Sequence, residues 1–332
     1  MNSFKRIRYI LISLIIVLSV IFTGCSNDSD KKDKGTESSS SKADSSLEIK
    51  SENKFCMWEV TSKDSKGKLY LFGSIHAADD LTYPLPSFVT DAFDKSDYLA
   101  VECDIVAYEK DLKKQIEMSA DLTYTDGTTI QNHIDQDTYE KCKVFLKANN
   151  SYMSVYDSMK PSVWMSLMDN IVLSKSGLSA GNGLDRHFLN KAKKEKKEIL
   201  EVESVESQME MLSGFSDDIM NLLLKSYTTQ TLDEQVNSLK ELFFAWKAGD
   251  IDKIYDLGNG ESDSKISEEE AALYEEYNKQ MLTNRNNLMV EKAEQYLSEN
   301  KKCFYVVGAM HMIGNDGIVE QLKAKGYDVK RI

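Results

Sequence analysis

The chain has 332 residues, 41% of them apolar, with 54 acidic side chains against 41 basic ones and a formal net charge of −13. That balance argues against nucleic acid as a partner and against electrostatic adhesion to anionic lipid. Residues 1–24 read as a signal peptide: Lys5, Arg6 and Arg8 make a positive start, and Tyr9 to Phe22 is almost wholly apolar. The run is shorter than the roughly 20 residues that cross a bilayer and has the format of an export signal. Its removal takes away three positive charges and no acidic ones, moving the net charge to −16.

Phe22-Thr23-Gly24-Cys25 resembles a bacterial lipobox, in which small residues leave the cysteine thiol and the preceding peptide bond open to the processing enzymes. Cleavage before Cys25 and lipidation of its thiol are expected, which would hold the protein at the cell membrane facing the extracytoplasmic side. Residues 26–54 are rich in serine, lysine, aspartate and glycine and hold few bulky apolar groups. They cannot bury enough surface to offset the entropy of ordering and read as a flexible tether from Cys25. The folded domain is expected over 55–332.

Within it, Phe55 to Val60 and Lys68 to Ile75 flank a polar turn and predict a hairpin. Further strands are expected at Tyr98 to Ile105, Glu198 to Val202, Cys303 to Val307 and Tyr327 to Ile332. Helical spacing marks Ser87 to Lys95, Thr138 to Ala148, Ser162 to Ser174, Leu184 to Lys197 and Leu232 to Ala248, then a long stretch from Ser267 to Asn300 with a break near Thr283-Asn284, and finally Gly317 to Lys325. Strands thus cluster at both ends of the domain around a largely helical middle. The expected fold class is α/β, a mixed β-sheet with covering helices. Cys56, Cys103, Cys142 and Cys303 have no zinc-ribbon spacing. Export permits a disulfide, the spacings define no pairing, and Cys103 and Cys303 read as buried small hydrophobes.

Two of the four histidines share one context. Tyr70-Leu71-Phe72-Gly73-Ser74-Ile75-His76 and Tyr305-Val306-Val307-Gly308-Ala309-Met310-His311 are both apolar strands running into Gly-x-x-His. Each histidine falls at the carboxyl end of a predicted strand, the edge where open α/β sheets bind ligands. A single copy of the pattern reads as a core histidine. Two copies about 230 residues apart suggest neighbouring strands presenting two imidazoles to one point. Glu102 ends the YLAVECD run, where an unpaired carboxylate would be costly to bury. Glu203 follows the EILEV run, and alternation with Glu201 makes one of the pair solvent-facing. His133 and His187 lack the glycine-strand context and read as structural; Asp185 reads as a helix N-terminal contact that could, with Arg186, line the site.

These motifs together resemble the TraB/GumN family, which includes the Tiki metalloproteases. Lys160-Pro161-Ser162-Val163-Trp164, Gly183-Leu184-Asp185, Val202-Glu203-Ser204 with Gln208, and Arg285-Asn286 are similar to further family motifs in the same order. The resemblance implies an erythromycin-esterase/ChaN-like fold and, for the Tiki branch, divalent-metal-dependent peptide cleavage that needs the two histidines and the glutamate. Read on its own chemistry, the set His76, Glu102 and His311 could hold a divalent ion such as Mn, Co or Zn. Glu203 could then act as general base or as an orienting partner, and Arg285 could stabilise an oxyanion. A metal-free histidine base assisted by a glutamate remains open. The leading expectation is an extracytoplasmic hydrolase acting on peptide or ester bonds. The competing one is a non-catalytic lipoprotein that binds a peptide pheromone, a metal or a haem-like ligand.

Overall fold

The structure, a computed structural model, describes residues 55–259 and 266–332. The signal segment, Cys25 and the tether lie outside the described residues. Among the described residues no helix is long and apolar enough to cross a membrane.

Six strands form one mixed sheet: β1 (Met57–Thr61), β2 (Lys68–Ser74), β3 (Tyr98–Val101), β4 (Glu198–Glu201), β5 (Lys302–Gly308) and β6 (Asp328–Arg331), in the order β4-β3-β5-β2-β1-β6. The first two are the expected antiparallel hairpin, and β6 returns antiparallel to β1. The β4, β3, β5 and β2 strands are mutually parallel, so their carboxyl ends share one edge. Leu69 to Phe72 and Cys303 to Val307 are buried throughout, as unbroken apolar runs must be when helices cover both faces of a parallel sheet. The outermost strands are the short, charged EILE and DVKR segments, a composition that discourages pairing with further chains.

Side chains on adjacent positions of β5 go to opposite faces. Phe304 packs on Phe188 of the Leu184–Glu195 helix, with ring centroids 4.6 Å apart, and on Phe93 of the Ser87–Asp94 helix. Tyr305 instead donates its hydroxyl hydrogen to Met289 O of the Asn284–Ser298 helix at 2.9 Å. On the hairpin side, Trp246 of the Leu232–Ala248 helix packs tilted against Phe55, with centroids 4.8 Å apart, and donates its ring N–H to Gly73 O. These contacts lock the helical middle to the sheet.

Two expectations change in detail. The strand predicted to run from Tyr98 to Ile105 ends at Val101, because Asp104 accepts from Ala107 N and caps a short helix over Ile105–Tyr108. The break predicted near Thr283-Asn284 is instead a five-residue π-helical segment, Lys279–Thr283, that joins the Glu268–Asn278 and Asn284–Ser298 helices without interruption. All four cysteines in the described residues are free and buried, which fits the hydrophobic reading of Cys103 and Cys303.

Candidate active site

The register of the parallel strands brings the distant motifs together. Ser74 lies opposite Gly308, and Val101 opposite both Val306 and Glu201. Just past the strand ends, Glu203 N donates to Glu102 O at 2.8 Å, continuing the ladder by one residue. His76, Glu102, Glu203 and His311 therefore emerge side by side from four adjacent strands. A Cβ placed on Gly308 would lie 3.4 Å from Glu102 Oε1, 3.6 Å from His311 Cδ2 and 3.8 Å from His76 Nε2. The three groups surround one point, and the glycine keeps that point free.

The two motifs are not equivalent in space. Gly73 and Gly308 are out of step by one residue in the register, and His311 sits in a short helix, Ala309–Met312, whereas His76 follows β2 in an irregular segment. Their partners differ as well. His76 Nδ1 is 2.9 Å from Asp185 Oδ2, and Asp185 Oδ1 accepts from Ser74 Oγ at 2.7 Å. Asp185 is in the first turn of the Leu184–Glu195 helix. Gly183 lets that turn approach: a Cβ there would meet His76 O at 2.3 Å. Sequence reasoning treated Asp185 chiefly as a helix-terminus contact; its carboxylate is the partner of His76.

His311 Nδ1 is 2.7 Å from Asn286 Oδ1, while Asn286 Nδ2 donates to Asp316 O. A carbonyl only accepts, so the amide orientation is determined and Nδ1 of His311 must carry the proton. A carboxylate likewise assigns the Nδ1 proton of His76. In their neutral forms both rings present an unprotonated Nε2, and neither Nε2 has a hydrogen-bond partner among the described residues. Asn286 was visible in sequence only as half of an Arg-Asn pair; nothing local indicated that it would orient an imidazole 25 residues away.

The acidic side is tightly paired. Glu102 Oε1 accepts from Gly308 N at 2.7 Å, and Oε2 accepts from Arg285 Nη2 at 2.8 Å and Gln208 Nε2 at 3.1 Å. Arg285 also grips both oxygens of Glu203, at 2.8 and 2.7 Å, and gives Nη1 to Met281 O. Gln208 Nε2 donates to Glu203 as well. Glu201, the alternative to Glu203, is exposed and accepts from Asp104 N.

Electrostatics separates the two imidazoles. Burial works to lower the His76 pKa, but the Asp185 charge and hydrogen bond, with Glu102, outweigh it and the value is raised. Burial and the Arg285 charge both act on His311 in one direction and lower it to about 3. For Glu102, burial raises the pKa, but Arg285, the two histidines and the Gly308 N–H win and hold it at about 2.

His133 and His187 are elsewhere. His133 bridges Asp217 and Thr128 and stacks on Tyr124 at 4.1 Å. His187 stacks on Tyr83, and Arg186 pairs with Glu109 rather than with the site.

Among the described residues no three His, Cys, Asp or Glu side chains form a closed metal-binding group. The donors nonetheless suit a divalent ion in kind. Two imidazoles face a common point with Nε2 free of protein partners and Nδ1 held by an outer partner, as metal-binding histidines require. A carboxylate stands beside them, and Glu102 and Glu203 against Arg285 leave a net negative charge.

A model of the TraB/PrgY/gumN family matches residues 56–331. Metalloprotease TIKI1 from Xenopus tropicalis is 25% identical over 312 residues, an alignment covering 78% of this chain. The chain spans only 58% of that relative's length. No solved structure matches.

Proposed function

The chain belongs to the TraB/PrgY/gumN family, and from that premise we propose that it is a metal-dependent hydrolase of peptide bonds whose working groups are His76, His311 and Glu102. One observation carries the reading: both imidazoles and the Glu102 carboxylate surround the point above Gly308, with each Nδ1 proton held from behind. The similarity to a protein named as a metalloprotease points the same way.

His76 and His311 would hold the ion through Nε2, with Glu102 as the nearest anionic oxygen. A divalent ion there would polarise a carbonyl and lower the pKa of water. Glu102 stays ionised across the physiological range, so it contributes charge and does not donate a proton. Asp185 and Asn286 set the ring planes. Glu203 has both oxygens engaged by Arg285, so both are assigned here as positioning residues that clamp Glu102, rather than as base and oxyanion donor. A second reading rests on the raised pKa of His76: with Asp185 behind it, Nε2 of His76 is a proton acceptor able to activate water without a metal.

The test is metal analysis of the purified protein, followed by peptide cleavage with chelator and after return of Mn, Co or Zn. Loss on chelation and recovery on return supports the metal reading; activity indifferent to chelation supports the His76–Asp185 base. Metal bound with no turnover on any peptide would sink the hydrolase and leave a binding lipoprotein. We also propose that Cys25 carries the lipid that holds the domain outside the membrane; Cys25→Ala should move the protein from the membrane fraction to the soluble one.

A further inference from the structure

We propose that an apolar cavity opening off the His76–His311 point receives an aliphatic or aromatic side chain of the substrate, beside the bond that is cut. The inference rests on the hydrolase reading and names the substrate class that this site would take. The cavity has a volume of about 130 Å³. Its walls are Leu242 and Trp246 of the Leu232–Ala248 helix, Ile254 of the Ile251–Asn259 helix, Met281 and Leu282 of the π-helical segment, and Met310. His76, Gly308, Arg285 and His311 line it as well. A side chain seated there therefore brings its own backbone against the two imidazoles.

Size and polarity select the occupant. An apolar cavity of about 150 Å³ accommodates benzene, so this one suits a leucine, methionine or phenylalanine side chain. Three of the polar groups at its rim are already engaged: Arg285 by two carboxylates, the Ser74 hydroxyl by Asp185, and the Trp246 N–H by Gly73 O. A charged side chain seated among these apolar walls would lose its hydration with only the imidazoles at the rim to replace it. The thioethers of Met281 and Met310 can re-pack around different apolar shapes, which favours a class of side chains over a single one. Met281 and Leu282 come from the π-helical segment, a local distortion of a kind often found at functional sites.

The test uses the full chain and a quenched-fluorescence peptide library randomised on both sides of the cleaved bond. Leu, Met or Phe should dominate at one position next to the cut, with Ala there lowering kcat/KM by about tenfold or more. Leu242→Phe and, as a variant at the half-buried mouth, Leu282→Trp should shift the preference toward Ala or Gly with little change in melting temperature. A readout independent of turnover is Trp246 emission, taken against Trp246→Phe, during titration with blocked Leu-containing or Asp-containing peptides under chelator. Only the former should change it. Cleavage with no apolar preference, or a preference untouched by both filled variants, overturns the subsite and leaves the hydrolase standing. An emission response to apolar peptides without any cleavage supports the subsite and overturns the hydrolase; neither cleavage nor response overturns both.

Discussion

The two Gly-x-x-His segments share a sequence pattern and the same sheet edge, yet their histidines are set to opposite states. His76 is backed by the Asp185 carboxylate, and its pKa is raised although burial opposes the change. His311 is backed by a carboxamide and faces Arg285, and burial and that charge push it to about 3. His311 is held neutral as a lone-pair donor, while the surroundings of His76 favour its protonated form. A motif placed each imidazole; the residue behind the ring, and the charge in front of it, decided its chemistry.

The broadest way to break this comparison is to remove each ring. His76→Ala and His311→Ala should each lower kcat/KM by about 10²–10⁴-fold with melting temperatures near that of the unaltered protein. A smaller effect on either, or an equal effect of His133→Ala, would show that the pair is not the working unit. Next is the charge that separates the rings. Arg285→Met leaves Glu102 and Glu203 buried together without their cation and should cost about 3–5 kcal/mol in urea unfolding, with Glu102→Gln/Glu203→Gln in the same chain restoring most of it.

Exchanging the backing groups sharpens the comparison further. Asp185→Asn should reduce activity about 10–100-fold and lower the His76 pKa, read by the imidazole shift in NMR titration of the metal-free protein. An unmoved His76 titration would mean that Asp185 is not what raises it.

Acid stability carries the same asymmetry. The unfolded chain protonates His311 near its ordinary value of 6.5, whereas the folded chain resists until about 3. The unfolded state therefore binds more protons in that window, and stability falls as pH drops through it. Glu102, depressed from 4.5 to about 2, adds loss over its own interval with the same sign, while His76, being raised, gains stability as pH falls. Melting temperature should decline from pH 7 to 4, and His311→Leu should flatten the slope. The smallest effect is at His133, where alanine should cost about 1 kcal/mol through the lost stack on Tyr124 and leave turnover unchanged.

Much of the fold was legible because its signals are local. The apolar runs of β2 and β5 had to be buried on both faces, and the Leu232–Ala248 helix was marked by its apolar spacing; the structure adds its caps, Thr231 with Glu234 at the start and Gly249, with φ 66°, at the end. Less legible were the end of β3, where an Asp104 cap overrode an apolar run, and the continuity of the long helix, since a π turn has no periodic signature of its own.

For the site, the sequence by itself determined which residue types reach the sheet edge: His76, Glu102 and His311 each follow a strand whose hydrophobicity dictates its burial, and Glu203 follows the short edge strand β4. Only tertiary structure decided their company. Strand order and register bring Gly308 beneath three functional groups, and helices far along the chain deliver Asp185, Gln208, Arg285 and Asn286 to them. Burial can be read from periodicity because it depends on neighbours a few residues away. Protonation state and hydrogen-bond partnership at the site depend on contacts such as Gly308 N to Glu102, 206 residues apart, and no local pattern encodes those.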